Sequence, residues 1–304
     1  MRICSLLPSA TEIVYALGLG DQLVGVTHIC DYPEAASSLP VLTTSLRVEE
    51  RPGLAPVHKV SVEGIADNAI FSLDSALLRE LAPQLILTQD ICEVCVIGSA
   101  TVQAVATAAL EHTPEFLTIH AMDVEGTLQS ILDVGVAAGV AERAETYVAS
   151  LRERVDAVKA TVAEHAPRAP RVLCLEWGRP LWAGGLWMSD MVGIAGGVHG
   201  LVRAGEHSYP TSWEEVVAFQ PEMVLFMPCG YDMESTRQEL ALLVDSPEWG
   251  KLPAVQSGQI YVFDGRVPSR HGPRLVDVLE AFAEIIHPSL FPAKWQGALY
   301  EQSA

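Results

Sequence analysis

Residues 141–166 read as one uninterrupted helix, and it divides the chain into two halves. Val148, Leu151, Val155, Val158 and Val162 recur at three- and four-residue spacings and form a narrow apolar stripe, with Arg152, Glu153, Arg154 and Lys159 on the opposite face. Pro167 and Pro170 end it, because proline has no amide to donate and clashes with the preceding turn. About 26 residues rising 1.5 Å each span roughly 39 Å, long enough to bridge two lobes. So narrow a stripe suits a helix lying across the molecule, not one buried within it.

Strands and helices alternate on both sides of this helix. Before it, Ile3–Leu7, Leu23–Thr27, Leu85–Thr88 and Phe116–Ile119 are short apolar runs that predict strands. Asp74–Leu81 and Ser99–Leu110 predict helices. After it, strands are expected at Val172–Leu175, Met223–Met227 and Ile260–Phe263. Helices are expected there at Met188–Ala195, Trp213–Phe219, Glu234–Val244 and Arg274–Ile286. Such alternation predicts mostly parallel sheets covered by helices. The fold class is therefore α/β, with an N-terminal lobe over 1–138, a linking helix over 139–168 and a C-terminal lobe over 169–304. Residues 33–64, rich in proline and serine, read as a long excursion from the first sheet.

The opening stretch SLLPSATEIVYALGLGDQLVGVTHICDYP can be an export signal or the first β-α-β unit. Pro8, Ser9, Thr11 and Glu12 interrupt the apolar run that a signal needs, while the Ser9 to Glu12 spacing is that of a capping box. Gly18 and Gly20 then supply a helix stop. The second reading is preferred, and it predicts a cytoplasmic protein, with a periplasmic or extracellular place only if a leader has been removed.

The net charge of −19 excludes a polyanion partner such as nucleic acid. No apolar stretch approaches the roughly 18 to 20 uncharged residues of a membrane span, and 49% hydrophobic residues suit a packed, soluble protein. Without an export signal, the six cysteines are expected as free thiols in a reducing compartment. Cys4 and Cys174 fall inside apolar strand runs and are expected in the core.

Three constellations carry chemistry. The CEVC pair, Cys92 and Cys95, follows a strand and precedes a helix; it can line a ligand, hold a metal with Cys30 and His28, or act in redox exchange. Trp177, Trp182 and Trp187 crowd a predicted loop in LEWGRPLWAGGLWMSDMVGIAGG, where indole faces suit a planar or bulky ligand. In VPSRHGPRLVD, Ser269, Arg270 and His271 precede Pro273, expected in the first turn of the last helix, whose amides can hold a polar group. Nucleophile-elbow, phosphate-loop, dinucleotide and zincin motifs are lacking, which leans toward binding and away from an enzyme.

PSATEIVYALGLGDQLVGVTHICDYP, APQLILTQ, the long helix, LEWGRPLWAGGLWMSDMVGIAGG, PTSWEEVVAFQPEMVLF and SRHGPRLVDVLE occur in the order seen in class III periplasmic binding proteins. Over nearly its whole length the chain resembles their BtuF-like cobalamin-binding branch. The resemblance implies two Rossmann-like lobes joined by the helix, a ligand cleft between them and no catalytic residues. It implies Pro8, Ser9, Tyr32, Asp90 and Cys92 on one wall, and Trp177, Gly178, Trp182, Tyr209, Ser269 and Arg270 on the other. It further implies that Asp74 and Glu214 dock onto an ABC permease, if the protein is exported. The expected ligand is bulky, with cobalamin or another corrinoid leading over siderophore, haem or metal, and no cofactor is required. The alternative is a cytoplasmic metal-handling or thiol redox protein using Cys92 and Cys95.

Overall fold

The structure, a computed structural model, describes residues 1–45, 71–91, 97–166 and 168–303, and the chain divides into two compact units. The first comprises Met1–His120 and Leu128–Ala149, the second Ala121–Thr127 and Ser150–Ala304. Cys92, Cys95 and most of the predicted excursion lie outside the described residues.

The first unit contains β1 (Ile3–Ser5), α1 (Pro8–Ala16), β2 (Leu23–Gly25), β3 (Thr43–Ser45) and β4 (Phe71–Leu73). These are followed by α2 (Ser75–Leu81), β5 (Leu85–Gln89), α3 (Ser99–Ala109), β6 (Glu115–Ile119) and most of α4 (Val124–Ala137). Its four-stranded sheet is parallel throughout, in the order β2-β1-β5-β6, and β3 and β4 form a separate antiparallel pair. Every residue of β1 and β5 is buried, the condition in which strands read as continuous apolar runs without alternation. Cys4, Leu6, Leu78, Ile86, Val102 and Ala106 form the core beneath this sheet. Cys4 is a buried thiol pushed up to about 12 by desolvation, as a core cysteine should be.

Two local starts differ in kind. Asp74 caps α2 by accepting a hydrogen bond from the Leu77 amide at 2.9 Å, and the helix closes on Ala82 in the left-handed region. By contrast, α1 begins on Pro8 with Leu7 as an N-cap that makes no side-chain bond. The proline's fixed φ, not a Ser9–Glu12 capping box, starts that helix.

The second unit opens on α5 (Ala141–His165), which passes from one unit to the other after Ala149. There follow β7 (Val172–Gly178), β8 (Leu181–Ala183), α6 (Trp187–Ile194), β9 (Tyr209–Pro210), α7 (Trp213–Phe219) and β10 (Met223–Phe226). The remainder is α8 (Met233–Val244), α9 (Pro253–Gln256), β11 (Ile260–Phe263), α10 (Leu275–Ile286) and β12 (Tyr300–Gln302). The sheet order is β12-β11-β10-β7-β8-β9: β11, β10 and β7 are parallel, and β12, β8 and β9 are antiparallel additions at the two sides. The Trp177–Trp182 segment, expected as a loop, is thus a hairpin. The helix predicted to start at Arg274 starts at Leu275, which leaves Pro273 ahead of it and outside the first turn.

The charged face of α5 also needs correction. Arg154 does not point into solvent: it donates to Asp277 at 2.6 Å and to Glu280 at 2.7 Å on α10. Lys294 and the indole N–H of Trp295 donate to Glu280 as well, each at 2.9 Å. Burial opposes ionisation of Glu280, yet the bonds from Arg154, Lys294 and Trp295 outweigh it and hold the carboxyl at about 2. For Asp277 the balance runs the other way, and desolvation raises it despite the same arginine.

Candidate functional site

In a parallel α/β sheet, ligands gather outside the carboxyl ends of the strands, where chain connections leave toward opposite sides. In the first sheet, β1 lies between β2 and β5, so the switch falls at the carboxyl ends of β1 and β5. Pro8 and Ser9 follow β1 there, and both are buried. Asp90 follows β5 and is exposed. Its Oδ1 is 2.8 Å from Nδ1 of His120, which follows β6; a carboxylate only accepts, so the imidazole donates. Sequence reading missed His120, because its partner stands thirty residues away and only strand order makes them neighbours.

Tyr32 is exposed at 47%, beyond Cys30. The Cys30 thiol is buried against the hydroxyls of Thr11 at 3.1 Å and Thr27 at 3.0 Å. His28 points Nδ1 to Thr43 Oγ1 at 2.9 Å, and desolvation lowers its pKa. Among the described residues no group of three or more His, Cys, Asp or Glu is arranged to hold a metal ion.

In the second sheet β7 lies between β8 and β10, placing the switch at the carboxyl ends of β7 and β10. Trp177 stands there, its ring edge-on to Tyr231 with centroids 5.2 Å apart and planes at 86°. Trp182 is its cross-strand partner on β8, so both indoles emerge from one face of the hairpin. Both are half-buried, as is Tyr209 on β9, opposite Ala183. Gly178 turns the other way: a Cβ there would meet Leu243 of α8 at 2.9 Å. Tyr231, the buried ring that braces Trp177, is another residue the sequence did not disclose.

Trp187 has a different role from its two companions. Only 4% exposed at the start of α6, it donates Nε1–H to the Pro268 carbonyl at 2.8 Å and packs on His271 with centroids 5.3 Å apart. It thereby holds the loop that carries Ser269 and Arg270, both half-buried. Ser269 donates its hydroxyl to Gly265 O at 2.6 Å. Gly265 itself is required, since a Cβ would lie 1.9 Å from the Pro228 carbonyl oxygen. Behind the hairpin, His199 Nε2 meets the Gly184 carbonyl at 2.9 Å, and burial depresses this imidazole to about 4. Asp74 and Glu214, the expected docking carboxylates, are both exposed, one at the N-cap of α2 and the other in the first turn of α7.

Two α/β units with parallel strands ending in polar or aromatic side chains, and a helix of 25 residues running from one to the other, define a class of two-unit ligand-binding folds. The comparisons make the class specific: the periplasmic binding protein family matches residues 94–267, more than half of the chain, and the chain belongs to that family. It is 24% identical to the Bacillus subtilis ABC transporter substrate-binding lipoprotein YvrC, covering 95% of this chain and 81% of the relative. A vitamin B12-binding protein of Yersinia pestis is 26% identical over 230 residues, 74% of this chain and 68% of the relative. A periplasmic heme-binding protein from Pseudomonas aeruginosa superposes with a TM-score of 0.75 at 23% identity, covering 100% of this chain and 98% of the other. The chain thus falls among ABC-transporter substrate-binding proteins. These relatives overturn the expectation of a cytoplasmic protein: a lipoprotein and a periplasmic protein point to an extracytoplasmic place. That expectation rested on Pro8, Ser9, Thr11 and Glu12 interrupting the apolar run of the opening stretch, which argues against a signal in that stretch and does not identify a compartment. Among the described residues no helix is long and apolar enough to cross a membrane.

Proposed function

We propose that this chain is a non-catalytic binding protein for a cobalamin-type corrinoid, which it passes to an ABC permease. The observation that carries this reading is the aromatic edge at the carboxyl ends of β7 and β10: two half-buried indoles on one face, the first braced by Tyr231. Flat apolar faces held rigid before binding lose little freedom when a broad macrocycle covers them. Each such burial contributes about 2 kcal/mol, and nanomolar affinity requires about 12 kcal/mol. The indoles of Trp177 and Trp182 would supply about 4 kcal/mol of this, and the remainder falls to the other contacts of the ligand, Ser269 and Arg270 among them. The vitamin B12-binding relative favours the corrinoid, and the family context favours delivery to a permease, with Asp74 and Glu214 as docking carboxylates.

A thermal-shift screen across cyanocobalamin, haem, ferric siderophores and divalent metals tests this choice, because a ligand raises the melting temperature according to its occupancy of the native state. Cyanocobalamin is expected to give the largest rise. A larger rise with any other compound would replace the corrinoid by that ligand.

A further inference from the structure

We infer that Leu186 is a contact of the bound macrocycle, an aliphatic side chain held out beside the aromatic hairpin of the second unit by an unfavourable backbone turn; this rests on the corrinoid reading above. All the residues involved belong to the second unit. Among the described residues, three that are not glycine have a positive φ. Ala82 and Gln220 close helices in the ordinary left-handed region, at ψ 60° and 57°. Leu186 instead opens one, at φ 54° and ψ −128°. Since the Met188 amide donates to the Gly185 carbonyl at 3.0 Å, Leu186 is the second residue of a type II′ turn, a place that glycine fills readily and a Cβ disfavours. A bulky residue there is a backbone outlier, and such strain persists only where the surroundings over-determine it.

The surroundings do so here. Leu186 N–H donates to the Glu206 carbonyl at 2.5 Å, and Gly205 N–H donates to the Leu186 carbonyl at 3.4 Å. Gly185 N–H donates to Ser208 Oγ at 2.9 Å, and a Cβ on Gly185 would lie 2.4 Å from the backbone of His207 and Ser208. The close approach of that loop requires glycine at 185, and leucine takes the strained place after it. Core packing does not account for the leucine: from Ala183 to Ser189 it alone is half-buried, and the other six residues are buried. Its position does. Ser208 leads into Tyr209 on β9, and Trp187, the next residue, bonds the Pro268 carbonyl beside Ser269 and Arg270. Leu186 therefore stands where the segment bearing Tyr209 meets the residue that holds the Ser269–Arg270 loop. Aliphatic surface fixed there before binding is covered by a broad macrocycle with little loss of freedom.

Urea unfolding and calorimetric titration with cyanocobalamin, on the full chain and its Leu186→Gly, Leu186→Ala and Leu186→Met variants, test the strain and the contact separately. Leu186→Gly is expected to unfold at higher urea than Leu186→Ala, the reverse of their order where φ is negative. Both are expected to weaken cyanocobalamin about fivefold, the loss of one partly covered aliphatic side chain, while Leu186→Met keeps the apolar reach and stays within about twofold of wild type. A merely structural role would make affinity follow stability, with the glycine variant binding more tightly than the alanine variant. An alanine variant at least as stable as the glycine variant, unchanged affinity in Leu186→Ala, or equal losses in Leu186→Met and Leu186→Ala would overturn the inference. If the wild-type chain binds no cyanocobalamin, the corrinoid reading fails, and ferric haem titrated into the same variants decides the contact. A haem affinity that falls in Leu186→Ala and holds in Leu186→Met upholds it; one that stays level, or no haem binding, removes it.

Discussion

The same edge of the two sheets carries opposite chemistry. At the carboxyl ends of the first sheet stands a directional polar pair, Asp90 and His120, beside a buried turn at Pro8 and Ser9. At the carboxyl ends of the second stand Trp177, Trp182 and Tyr231, which offer area and little direction. Strand topology puts a switch point at the carboxyl ends in both sheets, while local sequence decides which side chains stand there. The support beneath the edges differs as well: in the second unit Gly265, Trp187 and His199 hold the aromatic hairpin and the Ser269–Arg270 loop in position.

The sharpest break in this comparison is Gly265→Ala. A methyl group 1.9 Å from the Pro228 carbonyl forces two strand ends apart. The variant is expected to lose about 3 kcal/mol in urea unfolding, near the upper end for overpacking. A loss below half of that would mean the edge yields more readily than its contacts imply.

Acid should reach the second unit in two steps. The folded His199 lies near 4, below the ordinary 6.5, so the unfolded chain binds more protons between these values. Stability is therefore full above pH 6.5 and lost as pH falls toward 4, by at most about 3 kcal/mol. Glu280 is depressed from 4.5 to about 2, so its contribution is present above pH 4.5 and lost as pH falls toward 2. The raised Asp277 offsets part of this second step. His199→Gln keeps a donor for Gly184 O and should remove the upper step alone, as read from urea midpoints across pH.

Arg154→Met strips Asp277 and Glu280 of their shared partner. The cost should be about 2 kcal/mol, below the value for a fully buried pair because Arg154 remains 32% exposed. Equilibrium unfolding would show it, with cyanocobalamin affinity unchanged once the protein is folded. The smallest effect belongs to Trp187→Phe, which keeps the ring over His271 and removes the bond to Pro268 O. About 1 kcal/mol of stability should go, and calorimetry should show ligand affinity reduced a few-fold through the loosened Ser269–Arg270 loop.

The fold was legible where one signal sufficed. The stripe from Val148 to Val158 and the terminating prolines marked α5 to within a residue, and continuous apolar runs marked β7, β10 and β11. It was illegible where close packing overrides propensity. Helix α4 escaped notice because Gly126 and Gly135 dilute its pattern, yet a Cβ on Gly135 would lie 2.3 Å from Ala144 Cβ, so the glycine permits a tight approach to α5. Strands β8 and β9 are three and two residues long, the first flanked by Pro180 and Gly184 and the second containing Pro210, and only pairing, β8 with β7 and β9 with β8, makes them strands. At the site, Trp177 and Trp182 stood out by residue type. His120 and Tyr231 did not, because their roles come from partners distant in sequence. Trp187, which looked like their equal, is a buried brace.

The central claim is that the aromatic edge of the second unit binds a corrinoid. Titration calorimetry of cyanocobalamin into the wild-type chain and into folded Trp177→Ala tests it directly. The account predicts submicromolar binding that weakens about thirtyfold when the indole is removed, the equivalent of about 2 kcal/mol for one buried aromatic face. No heat at tens of micromolar, or an affinity that Trp177→Ala leaves untouched, would contradict it.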